Sequence, residues 1–195
     1  SYSSVVTAES KYLLQDECIQ QMFMATAMAI ASVEDKPVDA ALKFYEALSK
    51  RKVSLATPWL SSLRKGGNIS SCFIITVDDS IEALADAWRK AAYISKNGGG
   101  VGIDLARLRA KGATIAGNPD AGKGICSWVK IFNDIAVAVD QNGKRAGAFT
   151  LAVPIYHNDI GDFLEIQTEV GDVRSKAFDI FPQIVIPDIF MEKVE

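Results

Sequence analysis

The three cysteines, the single histidine and two glycine-rich stretches are the residues here whose types and spacing can do chemistry. Cys72 follows Ser70 and Ser71 at the mouth of a β-type run, where an open α/β sheet presents a site, and is the candidate for thiol chemistry. Cys18 falls on an apolar helical stripe and reads as an inert core thiol. Cys126 stands at a helix start, where the helix dipole lowers a thiol pKa, but nothing else around it supports reactivity. His157 has no second histidine and no evident partner, so a hydrogen-bonded structural role is favoured over a catalytic base. Gly117–Lys123 (GNPDAGK) fits the front of a phosphate-binding loop, yet Gly124 stands where Ser or Thr would bind magnesium. Lys96–Gly102 (KNGGGVG) is a loose dinucleotide fingerprint that follows a helix rather than a strand.

The charge distribution points to the same stretch. The net charge is −3, which carries no global signature of nucleic-acid or membrane binding. Residues 96–145, however, hold eight basic against four acidic groups and nine of the 14 glycines. Glycine lets backbone N–H groups approach a ligand closely, and Lys and Arg supply charge. Any anion site belongs there. One histidine and three separated cysteines without a CxxC pair argue against zinc and against a disulfide scaffold. No apolar run reaches membrane-spanning length and no signal peptide is visible, so the expected setting is reducing and cytoplasmic.

These residues need elements to position them. With 195 residues, 49% apolar, the chain is long enough for one core, or for part of a larger domain. Apolar spacing predicts a helix over residues 10–32, with a stripe at Leu14, Cys18, Met22, Ala25, Ala29 and Val33. A second helix begins at Pro37, a first-turn proline. Residues 71–77 alternate as a strand, with Cys72, Ile74 and Thr76 on one face and Phe73, Ile75 and Val77 on the other. Asp79 and Glu82 read as an acidic capping box for a helix ending near Lys96. A short strand over 101–105, a glycine-rich loop over 110–124 and a helix from Trp128 to Val139 follow, then a polar loop over 140–147. Residues 149–155 and 178–186 read as buried strands, with Pro182 marking a bulge or edge. Residues 159–166 and 188–194 read as short helices with Asp caps. Strands alternating with helices give an α/β class with mainly parallel strands.

An ordered series of segments carries a family resemblance. Ala56-Thr57-Pro58, ISSCF (69–73), DDSIE (78–82), ISKNGGGVG (94–102), LRAKGATIAG (108–117), DQNGKRAGA (140–148), YHNDIGDFL (156–164) and IPDIFMEKV (186–194) stand in order at compatible spacings. Together they resemble the large, catalytic subunit of ribonucleotide reductase.

The resemblance implies an N-terminal helical segment (1–52) followed by about the first half of a ten-stranded α/β barrel (53–195). It implies radical reduction of ribonucleotides, with Cys72 matching one of two reducing cysteines. Thr57, Ser71 and Gly100 match positions that hold substrate, and Gln141 and Arg145 are the candidates for reading its base. Asp79, Ser80 and Ile81 match positions facing the sugar and base of a deoxynucleoside triphosphate or ATP effector. Lys96, Arg109, Ala116 and Gly117 match positions facing its phosphates. The helices flanking the effector loop are expected to pair with a second catalytic subunit. No cofactor or metal is expected on this segment itself.

The family's N-x-C-x-E segment, second reducing cysteine and C-terminal cysteine pair are expected downstream of Glu195. The chain is therefore expected to work with a chain carrying the rest of the barrel, as a split enzyme or as a cut one. Its other implied partners are a radical-generating small subunit, with a dimetal centre favoured over adenosylcobalamin, and a thioredoxin- or glutaredoxin-type reductant. Two rivals stand beside this: a remnant acting as a deoxynucleotide-binding regulator or assembly module, and a phosphate-ligand domain using the basic glycine-rich stretch.

Overall fold

The computed structural model describes residues 2–65, 68–139 and 147–194. The chain divides into two compact units, Ser1–Ser71 and Cys72–Glu195. Residues 53–71, grouped with the barrel half in the sequence reading, thus lie in the first unit.

The first unit is helical. Helix α1 (Tyr2–Thr7) runs on as a π-helical turn, Ala8–Tyr12. The apolar periodicity then carries on, but the helix does not. Asp16 takes a left-handed φ of 60°, and the Glu17 carboxylate accepts the Leu14 N–H at 2.9 Å. Helix α2 (Ile19–Ala31) starts afresh with Cys18 as its N-cap, so Cys18 is exposed rather than on a core stripe. The buried face is Met22, Thr26, Ala27 and Ala31, shifted from the stripe the spacing predicts. Helix α3 (Pro37–Ser49) has its proline in the first turn and buries Ala41 and Leu48. It packs on α2. Helix α4 (Thr57–Ser61) is followed by the buried Arg64 side chain, which pairs with Glu17 and donates to the carbonyls of Tyr12 and Leu60. That guanidinium ties three segments of the unit together.

The second unit is a parallel α/β array. It runs β1 (Cys72–Thr76), α5 (Ile81–Lys96), β2 (Gly100–Asp104), α6 (Ile125–Ala138), β3 (Phe149–Pro154), α7 (Ile160–Leu164), β4 (Phe181–Val185) and α8 (Asp188–Met191). All pairings are parallel, in the spatial order β1-β2-β3-β4. Sequential order with one helical layer is the arrangement of a barrel wall rather than of a doubly wound sheet. Val77, Val101, Ile103, Phe149, Leu151 and Val153 face the core, packed under Leu84, Ala87 and Ala91 of α5 and Val129, Phe132 and Ala136 of α6.

The alternation expected for residues 71–77 holds: Cys72, Ile74 and Thr76 are exposed while Phe73 and Ile75 turn towards the core. Pro182 lies in β4, which among the described residues pairs with β3 alone, so the missing N–H costs no ladder bond there. Helix α5 is capped by Ser80, whose Oγ accepts the Ala83 N–H at 3.1 Å, not by the Asp79–Glu82 box. Asp159 does stand at the N-cap of α7, but its side chain makes no bond to that helix.

Candidate functional site

The two ends of the sheet gather two different sets of the candidate residues. At the N-terminal ends of the strands, Cys72 and Gly100 are register partners across the β1–β2 ladder. Cys72 opens β1, so it stands at the opposite end from the carboxyl edge where the sequence reading puts an α/β site. The face it shares with Gly100, Gly102, Thr150 and Ala152 is turned away from the helical core. Gly100 and Gly102 place no side chain beside the exposed thiol, while Ile74 and Phe181 stand exposed on the same face. Within the second unit, α5 and α6 pack on the other face, the one that carries Val101, Ile103, Phe149 and Leu151.

The stems of the 140–147 loop emerge at this same end. Ser95, buried near the end of α5, donates its hydroxyl to the Val139 carbonyl at 2.5 Å, at the start of that loop. The Val101 N–H donates to the Ala148 carbonyl at 2.9 Å, just past its end. Gln141 and Arg145 themselves lie outside the described residues.

At the C-terminal ends of the strands sits the second set. Asp79 lies between β1 and α5, Arg109 follows β2, and the two are joined. Arg109 Nε lies 2.6 Å from Asp79 Oδ2, and its Nη2 lies 3.3 Å from the Asp79 carbonyl. Next to them Arg107 pairs with Asp78 at 2.6 Å, with both side chains largely exposed. Ser80 caps α5 and Ile81 begins it, 55% exposed. The glycine-rich loop is ordered by its own backbone. Ile115 and Asn118 exchange N–H···O bonds of 3.0 and 2.9 Å around Ala116 and Gly117, whose φ values are 48° and 82°. Two positive φ values at the centre of a two-residue turn are the type I′ geometry. Gly112 and Gly122 bond below it at 3.0 Å. No strand leads into Gly117–Lys123, so the phosphate-binding-loop context is absent.

Lys96 is separated from this cluster. It ends α5, a helix of 16 residues, so at about 1.5 Å per residue it stands ~22 Å from Ile81. Thr57, in the first turn of α4, and Ser71, immediately before Cys72, belong to the first unit.

Cys126 is set against thiolate chemistry by its surroundings. Burial pushes Cys126 up to about 11, and the carboxylates of Asp162 and Asp159 add to the shift. The dipole of α6 does not overcome them. Among the described residues no group of three or more His, Cys, Asp or Glu could hold a metal ion, and no helix is long and apolar enough to cross a membrane.

Known proteins decide the family. Residues 70–195 match the model of the ribonucleotide reductase barrel domain, and residues 1–68 match that of its all-alpha domain. The chain belongs to the ribonucleotide reductase large-subunit family. It is 46% identical to the ribonucleoside-diphosphate reductase subunit alpha of Synechocystis, over 99% of this chain and 26% of that protein. The Helicobacter pylori subunit alpha is 39% identical over 100% of this chain and 26% of its own length. The chain thus spans about a quarter of these curated relatives. The Actinobacillus ureae class Id ribonucleotide reductase alpha subunit superposes with a TM-score of 0.80 at 22% identity, covering 100% of this chain and 35% of that one. The last likeness is one of fold: N-terminal helices, then a partial barrel wall.

Within this ribonucleotide reductase segment, two structural residues escape motif reading. Ser95 looks like any helical serine in the sequence, and Asp159 looks like an ordinary helix cap. Each acts on backbone more than 30 positions away, which no local pattern reports.

Proposed function

We propose that this chain supplies the first part of the catalytic barrel of a ribonucleotide reductase, with substrate at the Cys72 end of the sheet and effector at the Asp79 end. The observation that carries the reading is the pairing of the exposed Cys72 with Gly100 across the β1–β2 ladder. In the chemistry proposed, the ribonucleotide exchanges its 2′ hydroxyl for hydrogen. Two thiols each give up a proton and an electron, water leaves, and the sulfurs join as a disulfide. Cys72 is one of the two thiols. Its partner and the thiyl-forming cysteine come from the rest of the barrel, on the same polypeptide or another. Gly100, Ser71 and Thr57 hold the substrate, chiefly its phosphates, and Gln141 and Arg145 read its base. A thioredoxin- or glutaredoxin-type protein restores the thiols, and a small subunit with a dimetal centre is favoured over adenosylcobalamin as radical source.

At the other end, Asp79, Ser80 and Ile81 face the sugar and base of a deoxynucleoside triphosphate or ATP, while Arg109, Ala116 and Gly117 face its phosphates. Lys96 reaches such an effector only from a second catalytic subunit, because α5 holds it a helix length from Asp79. Helices α5 and α6 each run from the effector end to the substrate end, which supplies the link that allosteric choice of substrate needs. The test is Cys72→Ser in the assembled catalytic subunit with a radical source and external reductant. Multiple-turnover deoxynucleotide formation should fall to background while substrate still binds. Full turnover removes Cys72 from the reaction.

A further inference from the structure

The loop between β2 and α6 is closed by a side chain that belongs to neither element. Asp159 is buried, 7% exposed, and its carboxylate accepts from both stems of that loop. Oδ1 takes the Lys111 N–H at 2.9 Å, and Oδ2 takes the Ile125 N–H at 2.9 Å. Lys111 enters the loop and Ile125 leaves it, with Ala116 and Gly117 at the tip between them.

Three further features show that Asp159 is committed to this job. Its own helix goes uncapped, since the N-cap side chain of α7 makes no bond there. The N-cap of α6 is Gly124, which has no side chain to offer, so Asp159 supplies the acceptor for the first N–H of α6. The positive end of the α6 dipole favours a carboxylate at that point. Gly124 also has φ 79°, and a Cβ there would lie 2.6 Å from Asp159 Oδ2. The residue that spoils the magnesium-binding motif is therefore the one that lets the carboxylate in.

Asp159 is itself held by His157. The Asp159 N–H donates to His157 Nδ1 at 3.1 Å, which leaves Nε2 to carry the ring proton and donate it to the Leu108 carbonyl at 2.8 Å. Leu108 immediately precedes Arg109.

We propose that Asp159, oriented by His157, is a positioning residue for nucleotide recognition: its carboxylate staples residues 111 and 125 while His157 holds residue 108, so that Arg109 and the Ala116–Gly117 tip are presented in one preformed arrangement. A ligand that meets a preformed loop does not bear the cost of ordering it. This rests on the reading of residues 110–124 as the effector loop.

The test uses the assembled catalytic subunit carrying Asp159→Asn, His157→Ala or His157→Gln, with Asp162→Asn as the control for loss of a nearby exposed charge. Amide exchange at Lys111 and Ile125, calorimetric titration with each deoxynucleoside triphosphate, and turnover without effector are measured on each. Loss of the charge-assisted bonds in Asp159→Asn, or of the ring that orients Asp159 in His157→Ala, should speed exchange at the stem amides and raise the effector Kd by about tenfold or more. Effector-free turnover should stay near wild type, and Asp162→Asn should match wild type throughout. His157→Gln, which keeps a donor for the Leu108 carbonyl, should recover most of the affinity. Faster exchange with unchanged effector affinity overturns the positioning role, as does equal loss of effector-free turnover. Unchanged exchange in both Asp159→Asn and His157→Ala overturns the staple. A wild-type subunit that binds no deoxynucleoside triphosphate overturns the effector-site reading, and this proposal with it, whatever the amides do.

Discussion

Arg109 is latched onto Asp79, with Nε 2.6 Å from Oδ2 and the Arg109 backbone N–H 3.3 Å from Oδ1. The two residues proposed to meet opposite ends of an effector therefore meet each other first. Both side chains are more than a third exposed, so the pair contributes under about 1 kcal/mol to folding. Its removal should be felt in binding. Arg109→Ala is expected to weaken deoxynucleoside triphosphate affinity by about tenfold or more with a nearly unchanged melting temperature. Calorimetric titration beside thermal denaturation checks this, and unchanged affinity for every nucleotide tested would defeat the role.

Thiol reactivity should separate the cysteines by environment. Cys72 is exposed, whereas the Cys126 proton is held to about 11 by burial and two neighbouring carboxylates. At a labelling pH near 8, Cys126 should carry about 100-fold less thiolate than a thiol at the ordinary 9.0 and label more slowly than the exposed Cys72, because only the thiolate reacts. Timed alkylation with peptide mass spectrometry reads both sites. The same shift sets a pH window for stability. The folded chain keeps this proton up to about 11, while an ordinary thiol loses it near 9.0, so unfolding becomes easier as pH rises through that interval. Cys126→Ser should flatten the slope there.

Two glycines with nearly equal φ should answer differently to a methyl group. Gly117 has φ 82° and open space around it, so Gly117→Ala should cost about 1 kcal/mol from backbone strain alone. Gly124 has φ 79°, and a Cβ there would also meet Asp159 Oδ2 at 2.6 Å and Lys111 N at 3.1 Å. Gly124→Ala should cost at least about 3 kcal/mol, since strain, overlap and loss of a buried acceptor combine. Chemical denaturation of the two variants gives the comparison; equal costs would mean that Asp159 does not need the space.

Self-association should depend on the exposed side of α5. Ala85 is exposed one turn before Trp88, whose ring meets Trp128 of α6 at a tilt, with centroids 5.9 Å apart. If these helices meet a second catalytic subunit, Ala85→Glu should raise the dimer dissociation constant by about tenfold or more and blunt the effector response with it. Sedimentation velocity with and without nucleotide tests this. A dimer of unchanged strength would place the contact elsewhere.

Most of the fold was legible in the sequence because its signals are local. The β1 alternation, the proline at the start of α3 and the α5 end near Lys96 all follow from backbone sterics and side-chain period within a few residues. Tertiary contacts overrode that logic in three places. A continuous apolar periodicity was cut at residues 13–18, where Asp16 turns left-handed and Glu17 is drawn to Arg64, 47 residues on. The cap of α5 passed from the acidic box to Ser80, which freed Asp79 for Arg109. Asp159 kept the cap position that sequence gives it but spent its carboxylate on Lys111 and Ile125, because two converging N–H groups outbid one in its own helix. Composition and motif order by themselves determined the family, the parallel α/β class and the residues able to do chemistry. Only the folded chain decided which of them share an end of the sheet. Strand direction sends Cys72 and Gly100 to one end and Asp79 and Arg109 to the other, and a rigid helix holds Lys96 apart from the pair.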